Sequence, residues 1–155
     1  RCKAMTSDRS QLAATRAGFS NPQSHIILKE VMSKEPLAPA SIGSDQRLAD
    51  AIRWIIFALF TAEELEITQE NIDQKIQIAK SNPNLTSLRR LLGIDPGLGQ
   101  KLGLEDNFVV NVIRSTGNYG EIYERHLGPN SKVPIPRGLN HSYKKGGLLI
   151  SPPLN

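Results

Sequence analysis

Cysteine is nearly absent from this sequence: Cys2 is the sole thiol. One cysteine cannot close an internal disulfide, and no Cys/His spacing matches a zinc site. Long apolar runs are missing too. Arg53 interrupts the most hydrophobic stretch, and what remains is too short to cross the hydrocarbon of a membrane. Aromatic residues make up only 5% of the chain and do not alternate with basic ones, which excludes a stacking platform for single-stranded nucleic acid. The net charge of +4 is scattered, and its densest pairs, Arg89–Arg90 and Lys144–Lys145, each stand alone. That pattern describes a solvated surface, not a track for phosphates. Arg1 to Ser10 is polar and has no apolar signal-peptide centre. Because Arg1 stands where Met is expected, the chain reads as part of a longer one whose signal is missing.

Catalytic constellations are equally scarce. His25, His126 and His141 lie far apart and read as surface or half-buried side chains, not ligands or bases. Glu63 and Glu64 sit side by side on a helical stretch, where such acids form the solvated face. No Ser-His-Asp or Cys-His set appears. Gly97, Gly99 and Gly103 fall in a G-x-G-x-x-x-G spacing without a preceding strand or a following Lys-Ser or Lys-Thr. A phosphate loop or dinucleotide fingerprint needs those neighbours, so Asp95 to Leu104 reads as a loop. The reading is a non-enzyme with no catalytic residue, no metal and no cofactor.

Helical periodicity dominates what is present. Asp8 with Gln11 fits a capping box and opens a helix that Asn21-Pro22 ends. His25 to Leu28 reads as a brief buried strand, and Pro36 to Ile42 as an edge strand or crossover. Ser44 and Asp45 open the strongest helix, with Leu48, Ala51, Ile52, Ile55, Ile56, Leu59 and Phe60 on its apolar face. Thr68 opens another helix that Asn82-Pro83 stops. Leu85 to Leu92 forms a short one ended by Gly93. The period returns at Phe108, breaks at Gly117-Asn118, resumes at Tyr119 and closes at Gly128-Pro129. The faces around Trp54, Phe57, Phe108 and Val112 suggest apolar surface meant for a partner outside the chain. Asn130 to Asn155 should wrap the surface as an extended tail. No internal repeat is visible.

Two stretches carry a family resemblance. Arg1-Cys2-Lys3-Ala4-Met5-Thr6-Ser7-Asp8-Arg9-Ser10-Gln11-Leu12-Ala13-Ala14 resembles the segment of general and polar amino-acid-binding proteins in which a strand runs into a helix through an aspartate. Gly117-Asn118-Tyr119-Gly120-Glu121-Ile122-Tyr123-Glu124-Arg125 resembles that family's late helix, entered through a Gly-x-Tyr turn. Ser33 to Leu37, Arg137 to Asn140, Gly146-Gly147-Leu148 and Pro152-Pro153 match the same subfamily. Lys3 departs from it, standing where relatives often place an acid.

The resemblance implies the α/β fold of type II periplasmic binding proteins, solute-binding components of ABC transporters. This chain would be a C-terminal part, mostly α-helical with a few short strands. Residues 1–30 would end the second lobe and 31–43 form the return crossover, or hinge. Residues 44–129 would pack on the first lobe, and 130–155 form the tail. The implied partners are free L-amino acids, broad or polar in kind, and an inner-membrane permease, with no nucleic acid; the implied location is periplasmic. By the same resemblance, Asp8 is the substrate-binding residue that receives the ligand ammonium. Read alone, Asp8 is a helix N-cap. A free-standing helical interaction domain and a weak basic nucleic-acid binder are the alternatives. Phosphate contacts impose a steep salt dependence, so filter binding across a salt series is expected to show none here.

Overall fold

Capping chemistry and apolar spacing place most of the helices. The computed structural model describes residues 3–34 and 36–154; readings that rest on Arg1, Cys2, Glu35 and Asn155 lie outside it. Among the described residues there are seven α-helices: α1 (Arg9–Ala17), α2 (Gln46–Glu64), α3 (Ile72–Ser81), α4 (Thr86–Leu91), α5 (Leu98–Leu102), α6 (Phe108–Thr116) and α7 (Tyr119–Leu127). None of them is long and apolar enough to cross a membrane. The chain divides into two units. The first holds the described residues up to Ala40 with Glu124–Pro136; the second holds Ser41–Tyr123 with the described residues from Arg137 onward.

In the first unit α1 is followed by a 3-10 turn at Pro22–Ser24. The segments expected to be strands are not strands. Ile26 and Leu28 are exposed, as are Leu37 and Ile42, and no ladder forms along either stretch. A strand exists only through pairing, and no partner strand is present among the described residues. Further on, Ile135 N–H donates to the Leu127 carbonyl at 2.8 Å, turning the chain back after α7.

The second unit carries the main core. Asp45 caps α2 by accepting from the Leu48 amide at 2.9 Å. The most deeply buried stripe of α2 is Ala51, Ala58 and Ala62; its larger apolar residues from Ile52 onward are half-buried, while Leu48, expected on the apolar face, is exposed. Small residues on that stripe let α2 pack against α5 and α6, while α3 packs against α4 and α6. Between these helices Ile67, Ile72, Leu91, Val109 and Ile113 are wholly enclosed. Phe108 belongs to this core, not to an open face, and Trp54 meets Phe57 edge to face at 5.7 Å. At the end of α2 the Ile67 amide donates to the Ala62 carbonyl at 2.8 Å, and Glu66 takes φ 54° in a position glycine would favour.

The glycine-rich stretch is more ordered than a loop. It contains α5, and one side chain accounts for that order. Asp106 Oδ1 accepts from the Gly97 amide at 2.8 Å and the Gly99 amide at 3.1 Å, and Oδ2 from Gln100 at 3.0 Å. The amides that a phosphate would need are filled by the chain's own carboxylate. Gly93 lies against the same residue at φ +68°, where a Cβ would stand 2.1 Å from the Asp106 carbonyl oxygen. Those amides hold the Asp106 carboxyl below its ordinary value, and the Arg89 guanidinium does the same for Asp95.

The tail also departs from expectation. It forms 3-10 turns at Gly138–Asn140 and Tyr143–Lys145, and Ser142 bridges Leu149. Its anchor is Arg137. The guanidinium donates to Glu63 Oε1 at 2.6 Å and Oε2 at 2.9 Å, with both side chains under a tenth exposed. A third bond reaches the Asn140 carbonyl at 2.8 Å, and the cation lies 5.7 Å and 5.4 Å from the ring centres of Tyr119 and Tyr123. Glu63 is therefore no solvated acid.

Breaking one side of a buried pair strands the other charge. Arg137→Ala is expected to lower stability by about 3–5 kcal/mol, and Arg137→Met with Glu63→Leu by much less, as read by urea unfolding. For the two aspartates the sign is fixed by their lowered folded values. Their stabilisation is present above the ordinary carboxylate range near pH ~4 and is lost as pH falls through the lower folded values. Acid unfolding of Asp106→Asn should accordingly be less steep than that of the parent chain.

Candidate functional site

The N-terminus of α1 is built by its backbone, not by a side-chain cap. Asp8 has extended torsions, φ −55° and ψ 144°, and its carbonyl accepts from the Leu12 amide at 2.9 Å. The helix then runs to Gly18, with Ala13 buried. Near its end Arg16 Nε donates to the Pro22 carbonyl at 3.0 Å, which fixes the following turn. Asp8 is thus the N-cap residue, as its place in the sequence indicated.

The expected capping box does not form. The Asp8 side chain makes no capping hydrogen bond, and Gln11 pairs with the Ser7 hydroxyl instead. Asp8 is half-buried, and among the described residues its carboxylate has neither a hydrogen-bond donor nor an ion-pair partner. Ser7 is engaged locally, while Thr6 and Arg9 are exposed beside it. A part-shielded carboxylate with open lone pairs at a helix start is an acceptor for a cation or for N–H donors.

The true capping box lies elsewhere, in the Gly-x-Tyr turn. The Asn118 amide donates to Glu121 Oε2 at 2.8 Å, and the Glu121 amide donates back to Asn118 Oδ1 at 3.0 Å. Asn118 also donates to the Ile67 carbonyl at 2.7 Å, and the Gln69 amide reaches Glu121 Oε1 at 3.1 Å. The turn is therefore a structural joint between α7 and the loop after α2. The S/T-x-x-E form of the motif hides it, because asparagine takes the first place.

The paired acids separate in the same way. Glu63 is consumed by Arg137, and Glu64 Oε1 accepts from the Ser151 amide at 3.1 Å. Of the histidines, His25 lies against Phe19 with ring centres 4.4 Å apart and planes tilted by 40°, His126 is exposed and His141 is half-buried. No three His, Cys, Asp or Glu side chains among the described residues converge on a point that could hold a metal.

The fold carries a clear likeness. A periplasmic binding protein of an ABC transporter from Brucella ovis, solved with glutathione bound, superposes with a TM-score of 0.86 at 42% identity, over 96% of this chain and 46% of that one. The fold shared is that of part of a periplasmic binding protein, here mostly helical. Among curated proteins, the general L-amino acid-binding periplasmic protein AapJ of Rhizobium johnstonii is 44% identical over 156 residues, 99% of this chain and 44% of that protein. The glutamate/glutamine/aspartate/asparagine-binding protein BztA of Rhodobacter capsulatus is 39% identical, over 98% of this chain and 44% of its own length. The putative amino-acid ABC transporter-binding protein YhdW of Escherichia coli is 40% identical over 154 residues, again 44% of its length. No family model matches the chain. The chain is similar to amino-acid-binding periplasmic proteins of ABC transporters, and it spans about 44% of the length of the curated relatives it matches.

The missing side-chain cap at Asp8 makes a stability measurement informative. An N-cap side chain that bonds its helix contributes about 1 kcal/mol. Asp8→Ala should change the urea-unfolding free energy by less than about 0.5 kcal/mol, the range of an uncoupled surface position.

Proposed function

We infer that this chain is part of a periplasmic binding protein that captures free amino acids and delivers them to an ABC permease in the inner membrane, without chemistry of its own. The observation that carries the reading is the half-buried carboxylate of Asp8 at the start of α1, without a partner among the described residues. An amino acid brings an ammonium and a carboxylate, and removing either from water requires an opposite charge or hydrogen bonds. Asp8 meets the ammonium. The guanidinium and amides that meet the ligand carboxylate lie outside these 155 residues. Residues 1–30 then belong to the second lobe, 31–43 to the return crossover, and 44–129 to the helices on the first lobe, with 130–155 as its tail. The names of the relatives, which span general, polar and acidic amino acids, support this substrate class. Glutathione carries an α-ammonium and carboxylate on its glutamyl residue, so the same carboxylate suits that ligand as well.

In the full-length protein, Asp8→Asn is expected to weaken binding of L-glutamate or L-glutamine about 100-fold or more by titration calorimetry, with the fold intact. Unchanged affinity would remove Asp8 from the site. The 155-residue chain by itself is expected to bind these ligands weakly or not at all. Sub-micromolar binding to it would show that the carboxylate partner lies within the chain.

A further inference from the structure

We draw no further inference here: the strongest candidate, the surface groove of the second unit between the end of α2, α4 and the tail, lined by Glu64, Ser87, Arg90 and Lys144, carries nothing because its lysine already serves the Glu64 carbonyl at 2.7 Å and nothing in the structure shows what covers it.

Discussion

The second unit depends on the ion pair between Arg137 and Glu63, because both charges have been taken out of water. Such a pair is tolerable only where every strong donor and acceptor finds a partner. Here the guanidinium forks onto both carboxylate oxygens, adds the Asn140 carbonyl, and lies beside the rings of Tyr119 and Tyr123. Its Nε alone has no hydrogen-bond partner. The close fit reaches the backbone: a Cβ on Gly120 would stand 3.1 Å from both Arg137 Nη1 and Glu63 Oε1. Three separate stretches, α2, the start of α7 and the tail, are held by one interaction. The burial that encloses it also raises the Tyr119 hydroxyl above its ordinary value.

Two aspartates near helix starts stand in opposite environments. Asp106 is saturated by amides of its own chain, and the glycine turn that resembles an anion site is closed by it. Asp8 stands at the start of α1 with nothing bound to its carboxylate among the described residues. The same side chain is a staple in one place and an open acceptor in the other. What differs is whether backbone N–H groups are aimed at it.

The segment after α1 follows the same logic at the level of backbone. His25 to Leu28 has strand-like composition, and the strand reading failed there because a strand is a relation between two chains of peptide groups, not a property of one. Without a partner Ile26 and Leu28 remain exposed.

The sequence alone placed most of the helices, although it read α5 as a loop and opened α3 at Thr68, where the helix begins only at Ile72. The apolar period placed α2, α3, α4, α6 and α7, Asp45 capped as its position indicated, and Asn82-Pro83 and Gly128 stopped what precedes them. It also singled out Asp8, since a turn residue ahead of an apolar run is a local signal. Only tertiary structure decided which polar residues serve one another. Glu63 and Arg137 are 74 positions apart, Asn118 reaches Ile67 across 51, and the capping box expected at Asp8 gave way to a Ser7–Gln11 contact. Period and punctuation act over a few residues, where chain geometry leaves little choice. Partnerships of charge across the fold depend on packing that no local pattern records.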